Sequence, residues 1–159
     1  MIIYKNGTRQ LKPNYNEKEF FSNSPDAPDS HFLSDAAMEG AQIIRDAVGV
    51  AVTVNSTFRT VDHNESVGGG SNSQHLTGHA IDLDMAQSKL DELKKDIPRR
   101  GPIFNKLRAA GINGFGLYNG FIHIDSRPEG GKQIDPRGSF AFWDLSDDSQ
   151  MADDEKKKP

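Results

Sequence analysis

The chemistry of this chain is concentrated in two histidines and a few aspartates whose spacing says how they could meet. His75 and Asp82 lie in the stretch S-Q-H-L-T-G-H-A-I-D-L-D, residues 73 to 84. Between them come Gly78 and the start of an alternating run. From Ala80 to Met85 the order is small, apolar, acidic, apolar, acidic, apolar. Period-two alternation reads as a half-buried strand. Ile81, Leu83 and Met85 would face a core, while Ala80, Asp82 and Asp84 face the other side. The segment Phe121-Ile122-His123-Ile124-Asp125 alternates in the same way and puts Phe121, His123 and Asp125 on one face. Two such strands, with a histidine arriving from the loop before the first, suggest a His75, Asp82, His123 metal site. Two imidazoles and one carboxylate, with a position left for water, suit catalytic zinc.

Several elements must position these residues. Ser34 to Val48 reads as a helix, with Ser34 as N-cap and Asp35 and Glu39 favouring the positive end of its dipole. Ala37, Met38, Ala41, Ile44, Ala47 and Val48 recur at helical spacing and predict one apolar face, and Gly49 predicts a left-handed end. Val50 to Val54 is a β-branched run that reads as a strand. Val61 to Asn72, with three consecutive glycines, reads as a loop. Helices are expected from Ser88 to about Lys95 and from Pro102 to Ala110, covering one side of the sheet. Gly114 to Asp125 reads as a hairpin, with Asn119-Gly120 as a two-residue type I′ turn. Ser139 to Leu145 is a plausible last strand. Residues 1–30 are polar, contain three prolines and read as an irregular arm, with Glu17 to Phe21 as one turn of helix. Residues 146–159 are charged and apolar-poor and read as a disordered tail. The expectation is a single domain over residues 1–145.

Composition narrows the function classes. The 159-residue chain contains no cysteine, so thiolate zinc sites and disulfides are excluded and a metal must be held by His, Asp or Glu. The formal net charge is −4 and there is no basic patch of the kind that neutralises phosphates, which argues against nucleic acid as a partner. The N-terminus lacks the apolar stretch of a signal peptide, and no run is long enough to span a membrane. Synthesis in the cytoplasm without export by the usual route is therefore expected, as is a monomer with no membrane insertion. His79 falls off the ligand face, His63 reads as a loop residue, and Phe142 and Trp143 read as core.

The pattern Ser73-x-His75-x-x-Gly78-x-Ala80-x-Asp82, then Gly114-x-Gly116-x-Tyr118 and Phe121-x-His123-x-Asp125, resembles the zinc D-alanyl-D-alanine carboxypeptidase family. The resemblance runs from about Leu33 to Trp143 and is nearest to the compact branch found in bacteria and phages. It implies an α+β fold, with a central antiparallel sheet flanked by helices, shared with the hedgehog signalling domain. It also implies Zn2+ on His75, Asp82 and His123, and hydrolysis of peptidoglycan stem peptides, as in cell-wall lysis by a phage-encoded enzyme released from the cytoplasm. By the same resemblance Arg59 stabilises an oxyanion or binds a substrate carboxylate, and Ser73 contacts substrate or orders its loop. One departure stands out. The acidic residue that many relatives carry three positions before the second zinc histidine is Gly120 here. Asp125, which shares a strand face with His123, is then the first choice for general base, with Asp84 behind it; the alternative role for Asp125 is that of a partner orienting a histidine. The alternative is a zinc-binding module of the same fold that has lost catalysis.

Overall fold

The computed structural model describes residues 1–146; of the expected tail, all but Ser146 lies outside the described residues. The chain is mixed α and β. Among the described residues ten strands run β1 (Ile2–Tyr4), β2 (Gln10–Lys12), β3 (Tyr15–Asn16), β4 (Ser30–Phe32), β5 (Thr53–Ser56), β6 (Ala80–Asp84), β7 (Gly114–Leu117), β8 (Ile122–Asp125), β9 (Gln133–Asp135) and β10 (Gly138–Asp144). The helices are α1 (Glu17–Phe20), α2 (Asp35–Val48), α3 (Val61–Ser66), α4 (Gln87–Asp96) and α5 (Pro102–Ala109).

The principal sheet has six strands in the order β5-β6-β8-β7-β10-β9. Its centre is antiparallel, as expected, but β10 pairs with β7 in parallel, so the sheet is mixed. The chain has to cross from β8 through β9 before β10 can lie beside β7. That crossing reverses β10 relative to a simple meander.

One face of this sheet is the core. Ile81, Leu83, Ile122, Ile124, Phe115 and Leu117 are fully buried and belong to one apolar cluster with Met38, Ala41 and Ile44 of α2 and Phe104 and Leu107 of α5. Each such aliphatic side chain contributes roughly 1.5–3 kcal/mol by leaving water. Helix α2 starts where Ser34 Oγ accepts a hydrogen bond from Ala37 N at 3.2 Å and ends at Gly49 with φ 71°. Ala47, expected on its apolar face, is exposed.

Four expectations need correction. Residues 1–30 are not irregular. They form two small antiparallel sheets, β1 with β4 and β2 with β3, around a buried carboxylate. Glu17 is 1% exposed and accepts hydrogen bonds from Tyr4 N, Arg9 N and the Arg9 guanidinium. Such a buried carboxylate leaves no apolar periodicity to read. The strand expected at Val50 to Val54 begins only at Thr53 because its partner ends there, Thr53 lying opposite Asp84 at the end of β6. Residues 61–66 form α3, capped by Thr60, whose Oγ1 accepts from His63 N at 3.2 Å. Last, the β7–β8 turn is not type I′. That turn needs positive φ at both central residues, and neither Asn119 nor Gly120 has it.

Candidate metal centre

The opposite face of the sheet is polar, and strand register decides what meets there. Ser56 of β5 pairs with Asp82 of β6, Asp82 with His123 of β8, His123 with Gly116 of β7, and Gly116 with Trp143 of β10. These residues make one row across five strands. The next row contains Ala80, Asp125 and Gly114. Side chains directly opposite on one face lie about 4.5–5.5 Å apart at Cβ. A carboxylate and an imidazole are thus brought together by pairing alone.

His75 comes from outside the sheet. It lies in a 3-10 turn, Gln74–Thr77, whose N-cap is Ser73. Ser73 Oγ accepts from His75 N at 3.2 Å, so Ser73 orders the turn that carries the histidine. The turn ends at Gly78 with φ 73°, and a side chain there would run into the Phe32 carbonyl oxygen, which explains the glycine.

His75, Asp82 and His123 each offer one ligand atom, all within 4.8 Å of one another, and each residue is buried. Their hydrogen bonds say which atoms these are. His75 Nδ1 lies 2.6 Å from the Thr57 carbonyl oxygen, to which it can only donate. That leaves Nε2 without a proton, 3.2 Å from Asp82 Oδ1 and with no hydrogen-bond partner. Burial pushes the His75 pKa down, so the ring stays neutral although Asp82 is beside it. A buried nitrogen lone pair facing a carboxylate oxygen is unfavourable by itself. A cation between them resolves it, and the donor set of two imidazoles and a carboxylate suits zinc.

Asp82 divides its oxygens. Oδ1 faces both histidines, 3.2 Å from His75 Nε2 and 3.0 Å from His123 Nδ1. Oδ2 accepts from Arg59 Nη2 at 3.2 Å. Arg59 thus forms a buried ion pair with this aspartate. Its guanidinium also donates to Ser56 Oγ at 3.0 Å and Asn64 Oδ1 at 3.2 Å, and its N donates to the His75 carbonyl. Arg59, Asp82, Ser56, Asn55 and Phe121 line a small cleft of about 70 Å³. A neighbouring hollow of about 190 Å³ shares Arg59, Ser56 and Asn55 and extends to His63 and Val67. A larger cavity of about 360 Å³ lies elsewhere, by Tyr15 and Arg45, with none of these groups in its wall.

Asp125 is on the far side of His123. Its Oδ2 lies 2.6 Å from His123 Nε2, the ring nitrogen turned away from Asp82, and the residue is fully buried. Asp125 thus faces the back of the imidazole, where it suits the role of a partner orienting the histidine rather than that of general base. Asp84, the second choice, bonds to Asn55 Nδ2 at 3.0 Å at the surface. Gly120 has open space around it.

Trp143 was expected in the core and is half-buried. Its ring lies 5.2 Å from that of His123, and its Nε1 donates to Tyr118 Oη at 2.8 Å. His79 stays outside the cluster, bonded to Thr77 Oγ1 at 2.8 Å. Thr57 and Asn64 lie in segments that the resemblance covers but were given no role, and Arg127 was not singled out. Thr60 as an N-cap signal could have found α3 and hence Asn64; a backbone carbonyl such as that of Thr57 leaves no sequence signal.

Residues 13–125 match the Peptidase M15 family. A stretch of 43 residues is 54% identical to the zinc D-Ala-D-Ala carboxypeptidase of Streptomyces albus G. It covers 26% of this chain and 17% of that relative's length.

Proposed function

Because the chain belongs to the peptidase M15 family, we propose that it is a zinc-dependent peptidase that hydrolyses peptide bonds in peptidoglycan stem peptides. The observation that carries this reading is the buried, unpartnered His75 Nε2 facing Asp82 Oδ1 beside His123. His75, Asp82 and His123 would hold the ion through Nε2, Oδ1 and Nδ1. Zinc held there supplies Lewis acidity, which polarises a carbonyl and acidifies water. The rest of the chemistry belongs to the chain. Thr57 and Asp125 fix the two imidazoles from behind, and Arg59 engages Asp82 Oδ2, which leaves Oδ1 to the ion. Arg59 also borders the cleft, where its charge favours a substrate carboxylate or a developing oxyanion. Ser73 serves substrate through the turn it caps. The mixed sheet with one helical face and one ligand-bearing face supports a hedgehog/DD-peptidase fold formed as one domain over residues 1–145. Lysis by a phage-encoded enzyme is the biological role we favour.

A second reading has its own observation. Gly120 has no side chain, and the buried Asp125 faces away from the cleft, so neither brings a carboxylate to it. That favours a zinc-binding module without catalysis. The test is mass spectrometry of purified peptidoglycan after incubation with zinc-loaded protein and with His123→Ala. New peptide products that His123→Ala does not give are expected, and their masses identify the bond. No cleavage of several peptidoglycan chemotypes by protein proven to hold zinc would replace the peptidase with the module.

A further inference from the structure

We propose that Arg127 is a positioning residue for the metal centre: its guanidinium locks the Asp125 carboxylate against His123 Nε2 and so directs His123 Nδ1 toward Asp82 and His75. The inference rests on the zinc reading above and extends it to a residue outside the ligand set.

Arg127 grips both oxygens of Asp125. Nε donates to Oδ1 at 2.8 Å and Nη2 to Oδ2 at 2.7 Å, and the Arg127 backbone N adds a third bond to Oδ1 at 3.1 Å. A two-pronged grip fixes the plane of a carboxylate as well as its position, which a lysine cannot do. Oδ2, so oriented, receives His123 Nε2 at 2.6 Å. With Nε2 committed as donor, Nδ1 is the nitrogen left to face Asp82 Oδ1, at 3.0 Å. Partners behind a ligand histidine set its tautomer and ring orientation.

The surroundings are built for this contact. Gly114 lies directly opposite Asp125, and a Cβ there would overlap the carboxylate. Gly116 leaves room in the same way for the Trp143 indole. That indole neighbours both His123 and Arg127, its ring 5.2 Å from the imidazole and 5.2 Å from the guanidinium carbon. Pro128 follows Arg127 and biases its backbone to extended conformations. Asn113 Nδ2 holds the Arg127 carbonyl at 2.8 Å. The ion pair is asymmetric: the Arg127 side chain is 26% exposed, whereas Asp125 is 0% exposed. Arg127 can therefore keep its charge hydrated while stabilising a carboxylate that cannot reach water.

The test compares Arg127→Lys and Arg127→Gln with the wild type. Zinc affinity is measured by competition with a chromophoric chelator. The His123 Nε2–H resonance is followed by NMR in metal-free, nitrogen-labelled protein. Near-ultraviolet circular dichroism verifies that each variant is folded. Positioning predicts that both variants lose affinity, by roughly 10-fold or more, and that the Nε2–H resonance shifts or exchanges faster. Arg127→Lys is decisive because it keeps the charge and removes the grip. Unchanged or higher affinity in both folded variants, with the Nε2–H resonance unmoved, would overturn the proposal. A wild type without zinc affinity would remove the zinc reading, and the Nε2–H resonance would still decide whether Arg127 holds the Asp125–His123 contact.

Discussion

Gly114→Ala puts one methyl group where the structure has no room for it. The new Cβ would overlap three atoms of the Asp125 carboxylate. That carboxylate has no free direction in which to move, since Arg127 holds both of its oxygens and His123 one. Two responses remain. If Asp125 moves, a buried charge-assisted hydrogen bond to His123 is lost, at a cost of about 1.5–3 kcal/mol. If β7 moves instead, the strain of an overpacked site costs about 1–3 kcal/mol. Either way roughly 2 kcal/mol of stability disappears, which for a chain of this length lowers Tm by roughly 4–8 °C. Urea denaturation of the metal-free protein measures it, with the midpoint falling by about 1 M. The same variant should weaken zinc by about 10-fold or more, because His123 loses its support. Gly120→Ala is the control, as nothing lies within 4 Å of the added methyl. If Gly114→Ala matched the wild type within about 0.5 kcal/mol and bound zinc equally well, the close approach of Asp125 to β7 would be wrong.

Asp135→Ala should destabilise the protein by about 3–5 kcal/mol, measured by urea denaturation, because it removes the partner of a buried cation. Arg108 donates to both Asp135 oxygens, at 2.9 and 3.0 Å, and would keep hydrogen bonds to the Ile112 and Gly138 carbonyls and Asn113 and its place over the Phe140 ring. Acid should unfold the chain partly through Glu17 and Asp135, whose pKa values are held down to about 2, chiefly by hydrogen bonds from Arg9 and Arg108. A carboxylate depressed on folding contributes fully above its unfolded pKa of about 4 and loses that contribution as pH falls toward 2. Urea midpoints against pH should therefore drop across that interval, and Glu17→Gln should flatten the drop. Zinc at a free concentration 100 times its Kd should stabilise the folded chain by about 2.7 kcal/mol. A chelator should abolish that gain in a thermal melt, and His75→Ala should show none.

The strand pattern was legible at Ala80–Met85 and Phe121–Asp125 because one face is fully apolar. Register is strongly specified where one face is buried, so alternation alone placed Asp82 and His123 on a common face. Helix α2 was legible for a similar reason, its cap, apolar face and terminal glycine all agreeing. The N-terminal residues were not legible, because a buried carboxylate ringed by donors organises them, and no periodicity announces it. The turn at Asn119-Gly120 shows local preference being overruled: the Tyr118 and Phe121 rings stack across it at 4.4 Å, and its backbone avoids positive φ.

By itself the sequence determined the candidate ligand types, the absence of thiolates, and which strand residues share a face. These follow from residue chemistry and the two-residue repeat of a strand, which are local. Tertiary structure alone decided the direction of each ring. Whether His123 presents Nδ1 or Nε2 to Asp82 depends on Asp125 and Arg127 behind it. Whether His75 offers a lone pair depends on the Thr57 carbonyl, from a segment distant in the chain. The position of Asp125 was decided in the same way: sharing a face with His123 left it free to line the cleft or to back the imidazole. The grip of Arg127 and the gap at Gly114 selected the second, because a carboxylate held on both oxygens inside a sheet cannot also open toward water.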